Sequence, residues 1–156
     1  MKPHFWKREN FWIGLVVLVI TFILSSLVRL LGGVFPNFEL VLVLALSFFI
    51  SDFWYFLIFL GVSLVWFKFL PFLVWEHLFF FGVGFISFVI LRTFLSKRSL
   101  VVFLTLLLFW QIIFWVLFGN GPGTIISLSF LTEFIYGGIL GSLFFILESW
   151  VKKRFS

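Results

Sequence analysis

"SFFISDFWYFLIFLG", residues 47–61, is apolar almost throughout and carries Ser51-Asp52 at its centre. One long helix would drag that aspartate through the middle of a membrane. Two short helices would place it at the tip of a hairpin. The choice sets how many times the chain crosses the lipid, and so which side each charged loop faces.

That lipid is the solvent follows from composition. The 156-residue chain is 63% hydrophobic and 11% charged, with a mean hydropathy of +1.28, which lies outside the range of water-soluble domains. A soluble protein of this size buries only about two-thirds of its chain area and could not hide so much apolar surface. The 28 phenylalanines and eight tryptophans suit a bilayer core and its interfaces. Cysteine is absent from the sequence, which excludes disulfides, thiolate metal sites and thiol nucleophiles. The net charge of +5 does not point to a nucleic-acid partner, because the cations sit at the ends of apolar runs, as membrane topology signals do.

Breakers divide the chain. "MKPHFWKREN" leads into an apolar run over 11–31 that is long enough to span. No small-x-small cleavage site follows it, so it reads as a retained signal-anchor helix. "GGVFPN" (32–37), "KFLPF" (68–72), the basic "RTFLSKRS" (92–99) and "GNGPG" (119–123) separate the runs that follow, and "VKKRFS" closes the chain. The segment 38–67 is read as apolar apart from Ser51-Asp52. The spans predicted are 11–31, 38–50, 53–67, 72–95, 100–118 and 127–150, all in a single membrane domain over 1–156.

Length does not decide the 38–67 segment. As one helix its 30 residues would reach about 45 Å, against a hydrocarbon core of about 30 Å. As two helices, each is only about 20 Å long. Charge does decide it. With the N-terminus inside and a hairpin at Ser51-Asp52, nine of the eleven basic residues lie on the cytoplasmic side: Lys2, Lys7, Arg8, Arg92, Lys97, Arg98, Lys152, Lys153 and Arg154. Arg29 and Lys68 face out. A single helix gives five spans and moves the 92–98 cations and the basic tail outside, against the positive-inside rule. It would also bury Asp52 at a cost of about 2.5–3.5 kcal/mol. The expectation is an all-α integral membrane protein: a compact bundle of six short transmembrane helices, or four plus a re-entrant hairpin, with both termini cytoplasmic.

Ionisable residues within the apolar runs are the functional suspects. Glu76 and His77 fall near the outer interface and, being adjacent, point about 100° apart on a helix. They suit headgroup or neighbouring-helix contacts, a proton relay or a partner contact, and "EHLFF" lacks the second histidine of a zinc motif. Glu133, with Tyr136 a turn on, lies in the outer half of the last span, where it snorkels, bonds another helix or serves as a buried functional carboxylate. Gln111 is expected to bond across to another helix, and Glu148 to pair with Lys152. In "YGGILGSLF" (136–144), Gly137, Gly138, Gly141 and Ser142 form a small-residue stripe for packing within the chain or against another protein. "GVG" (82–84) supports close packing of the fourth span. No catalytic triad, paired aspartates, phosphate loop or metal-ligand cluster stands out, so neither an enzyme nor a cofactor or metal site is expected.

The layout resembles the MreD family of bacterial rod shape-determining membrane proteins. "FPNFELVLVLALSFF" (35–49) is similar to that family's proline followed by an apolar second span. "ISDFWYFLIFLGVSLVWFKFLPF" (50–72) is similar to its polar-tipped hairpin, glycine-containing third span and Leu-Pro-Phe loop, and the 92–99 loop and basic tail fit as well. The chain departs from the family pattern where it has Val65 or Trp66 in place of an aspartate, and Leu73 in place of a glycine, so no site residue is carried over. The resemblance implies a non-enzymatic subunit of the cell-elongation machinery in the bacterial inner membrane. It would bind a bitopic MreC-like protein and help couple MreB filaments to peptidoglycan synthesis. The alternative is a small-molecule binder resembling the S-components of energy-coupling-factor transporters, for which Glu76, His77 and Glu133 would converge on an outer pocket. An unrelated membrane protein of similar layout is the third possibility.

Overall fold

Helix caps punctuate the chain where the sequence changes from polar to apolar. Asn37 accepts the Leu40 N–H on its Oδ1 at 3.1 Å, Asp52 accepts those of Trp54 and Tyr55 at 2.9 and 3.3 Å, Ser99 that of Val102 at 3.3 Å and Ser127 that of Phe130 at 3.2 Å. Each cap satisfies an N–H that the first helical turn leaves without a partner. The computed structural model describes residues 4–31, 37–67, 74–94, 99–118 and 127–155, with side chains over 9–27, 37–65, 74–94, 99–118, 127–147 and at 150. Of the breakers, 32–36, 68–72 and 119–123 lie outside these residues, as do the Lys97-Arg98 pair and the side chains of the expected Glu148–Lys152 contact.

Six helices form among the described residues: α1 (His4–Leu31), α2 (Phe38–Phe49), α3 (Phe53–Phe67), α4 (Val74–Thr93), α5 (Leu100–Phe118) and α6 (Leu128–Phe155). Four hold stretches long and apolar enough to cross a membrane: Glu9–Leu27, Val74–Thr93, Leu100–Phe118 and Leu128–Leu147. The chain is therefore a multi-pass membrane protein. Its helices overrun the predicted spans at both ends, since α1 starts at His4 rather than 11 and α6 continues past 150 to Phe155. Helix propagation gains a backbone hydrogen bond per residue and does not stop where the apolar run stops.

The 12-residue α2 is the hub of the bundle. Every residue from Leu40 to Ile50 is buried, as expected of a helix that is hydrophobic all round, and α2 touches each of the other five helices. Those five close a ring about it. α1 packs on α3 and α6, α3 on α4, and α5 on α6, while Phe79 and Phe80 of α4 meet Phe114 of α5 at 5.7 and 5.6 Å between ring centres. At about 18 Å long, α2 is too short for the hydrocarbon core alone, but the ring and not lipid surrounds it. The large apolar side chains on the outside, among them Trp54, Ile58, Val65, Trp75, Leu131, Ile139 and Ile146, are exposed and compatible with lipid contact.

Glycine lets the ring approach the hub. A Cβ on Gly84 would stand 2.9 Å from Val43 Cγ1 of α2 and 3.1 Å from Leu60 Cδ1 of α3. One on Gly141 would collide with the Phe103 ring, at 2.8 Å from Cδ1, and one on Gly137 would lie 3.2 Å from Val41 Cγ2 and 3.1 Å from Leu107 Cδ2. Van der Waals packing of this kind, rather than water exclusion, holds helices together in lipid. Gly61 and Gly82, by contrast, have open space where a Cβ would go. Gly141→Leu is accordingly expected to destabilise the bundle by about 1–3 kcal/mol through overpacking, seen as a lower Tm in detergent. Gly61→Ala should leave the Tm unchanged or raise it, because it adds helix propensity without a clash.

Candidate functional site at the two ends of the bundle

The 50–52 bend shows how this chain stops one helix and starts the next inside a packed bundle. Ile50 leaves the helix with φ −81° and ψ 124°, its N–H still bonded to the Leu46 carbonyl at 3.1 Å. Its own carbonyl would then be without a partner, and Arg92 of α4 donates to it through Nη2. The Arg92 guanidinium also lies 4.6 Å from the centre of the Phe88 ring, a cation–π contact that holds it over the bend. Ser51 donates both its N–H and its Oγ–H to Oδ1 of the buried Asn10 on α1, each at 2.9 Å. Asp52 caps α3, where its carboxylate also meets the positive end of the helix dipole. The hairpin tip expected at Ser51 and Asp52 is present, and two other helices clamp it.

These contacts gather chain segments at one end. Asn10 brings the start of α1 to the bend and Arg92 the end of α4, while Phe145 of α6 stacks edge-on against Phe48 and Phe49, with ring centres 5.8 and 5.2 Å away. The opposite end holds the start of α4, with Glu76 and His77 half-buried in and beside its first turn, and the start of α6. There Glu133 accepts on Oε2 from Trp115 Nε1 at 2.9 Å and from Gln111 Nε2 at 3.4 Å, both on α5. Gln111, 1% exposed, donates as well to the Phe130 carbonyl at 3.3 Å. Glu133 is thus tied to α5, and Gln111 makes the cross-helix bond expected of it. Deeper in, Trp110 Nε1 donates to Ser87 Oγ at 2.9 Å, linking α5 to α4.

Among the described residues no three of His, Cys, Asp and Glu lie close enough together to hold a metal ion, so Glu76, His77 and Glu133 form no such cluster. Gly137 faces Val41 of α2 and Leu107 of α5, Gly141 faces Phe103 and Gly138 Leu104, both of α5, while Ser142 donates to the Gly138 carbonyl of its own helix at 2.8 Å. Their contacts are within the chain. The "GVG" stretch divides, with Gly84 packed and Gly82 open. Sequence reasoning missed Asn10, which looked like part of a polar leader, and Ser87, Trp110 and Trp115. It also passed over Glu39, in the first turn of α2 with Oε2 buried. The signal for Glu39 was legible, because Asn37 followed by an acidic residue is a helix-start pattern, with the carboxylate at the positive end of the dipole. No protein-family model matches the chain, and neither a curated protein nor a solved structure proved similar to it.

Asn10→Ala removes the acceptor for both Ser51 bonds and is expected to cost about 1–3 kcal/mol. Asn10→Asp, which keeps an Oδ1, should restore most of that stability. Thermal unfolding in one detergent compares the two, and equal Tm losses would show that shape rather than the hydrogen bonds matters at this position.

Proposed function

We propose that the chain is a non-enzymatic subunit of the bacterial cell-elongation machinery, a protein of the MreD kind in the inner membrane. The observation that carries this is the hub. The centre of the bundle is filled by the leucine, valine and phenylalanine side chains of α2, buried from Leu40 to Ile50. What remains for recognition is the outside of the ring and its two ends. A chain so built suits lateral docking of a partner's membrane helix, here a bitopic MreC-like protein. The bend end, where the start of α1, Asp52, Arg92 and the second half of α6 meet, is assigned to the cytoplasm on the positive-inside rule. Basic residues there would add affinity for anionic lipid or acidic partners.

Three measurements test this. Cysteines placed at 97 and 153 should react with a membrane-impermeant maleimide only after the cells are permeabilised; labelling of intact cells at either position would overturn the orientation. The tagged chain should co-purify a bitopic MreC-like protein from its own membranes, and its depletion should round rod-shaped cells. Normal shape on depletion would overturn the function. The bonded set Glu133, Gln111 and Trp115 favours the S-component-like alternative. That alternative would gain if a vitamin-like ligand raised the Tm of the wild-type protein and not of Glu133→Ala.

A further inference from the structure

Glu133 stands within the Leu128–Leu147 stretch, about 7 Å along α6 from its first residue. Its donors among the described residues are both neutral, the Trp115 indole and the Gln111 amide, and both bind Oε2. Oε1 takes no donor from the described residues and is not sealed inside the bundle. The side chain is half-buried, and on the same helix Leu131, Ile135 and Tyr136 are about half exposed, at 52, 51 and 49%. The chain therefore holds one carboxylate oxygen by two hydrogen bonds and leaves the other without a donor beside the half-exposed Tyr136 a turn on, with no counter-charge among the described residues. A carboxylate in such surroundings is costly unless it finds a cation or a donor.

We propose that Glu133 is an intramembrane docking point for a cationic side chain, Lys or Arg, carried by the membrane helix of a partner. Charge complementarity sets the chemistry. Its depth within an apolar stretch selects a side chain delivered on a helix over an amine that must leave water, since a Lys or Arg stem can lie along apolar surface while its head reaches Oε1. The bonds from Trp115 and Gln111 fix the rotamer of Glu133, so the contact is made without first ordering the side chain. This rests on the docking function and deepens it by naming the chemistry of one contact.

The test uses the full-length chain, donor-labelled, in phosphatidylcholine vesicles with acceptor-labelled leucine-based transmembrane peptides. One peptide carries a single Lys about a turn and a half inside its outer end and the other has Leu there. Energy transfer should report roughly three- to tenfold tighter association of the Lys peptide, the range expected of interhelical polar contacts. Glu133→Gln, which keeps an acceptor for Trp115, should abolish that preference, and Glu76→Gln should not. Equal binding of the two peptides, or a preference that survives Glu133→Gln, would overturn the proposal. So would a Tm rise with propylamine, lost in Glu133→Gln, where the Lys peptide shows no preference, since the carboxylate would then serve a small amine. Failure to co-purify an MreC-like protein would sink the parent function while leaving this contact standing.

Discussion

Backbone polarity inside lipid is the constraint on which this architecture rests. Away from water each peptide N–H and C=O must find a partner within the protein, so a helix that stops against the packed bundle needs new partners for the groups it leaves open. At 50–52 the chain stops and restarts within three residues, and several of the groups left open are met: the Ile50 carbonyl by Arg92, the Ser51 N–H by Asn10, and the Trp54 and Tyr55 N–H groups of α3 by Asp52. The partners come from α1 and α4. These bonds tie the hairpin to those helices and set the register of α1 and α4 against it.

With the bend held, α2 becomes the axis of the bundle. From Leu40 to Phe49 its side chains on every face are apolar but for Ser47, whose hydroxyl stays within bonding reach of the Val43 and Gly84 carbonyls at 2.8 and 3.1 Å. Since lipid tails are as apolar as leucine, burial of α2 gains little from transfer out of the bilayer, and close packing must hold it. Glycines at 84, 137 and 141 supply that closeness where helices meet, and rings at 48, 103 and 145 fill the bend end in edge-on pairs. Polar chemistry is displaced to the two ends and to the α4–α5 and α5–α6 seams. For a protein proposed to act by docking, this is a coherent division: a rigid apolar centre, with recognition left to the margin.

Several of these features are legible in the residues themselves. A lone aspartate between two apolar runs points to the hairpin. Gln111 in an apolar helix predicts a partner on another helix. The small-residue spacing at 137 and 141 predicts close packing but does not say against what, and Gly82 and Gly84 look equivalent in sequence although only Gly84 is packed. Asn10 and Arg92 read as polar flanks of membrane runs. Their link to residues 51 and 50 spans 41 and 42 positions, a separation on which local pattern carries no information. The missed Glu39 differs, since its helix-start pattern is local and stands in plain view.

The sequence alone determined the solvent, the all-helical class and the position of the bend, because hydropathy, breakers and capping residues act locally and need no knowledge of neighbours. Only the tertiary structure decided that the shortest helix is the centre, that five others enclose it, and that Glu133 is bonded to Trp115 and Gln111 of α5. Those outcomes depend on which faces meet. A helix that is apolar on all sides offers the same pattern to lipid as to protein, so its place in the bundle is set by packing and by distant hydrogen bonds rather than by its own residues.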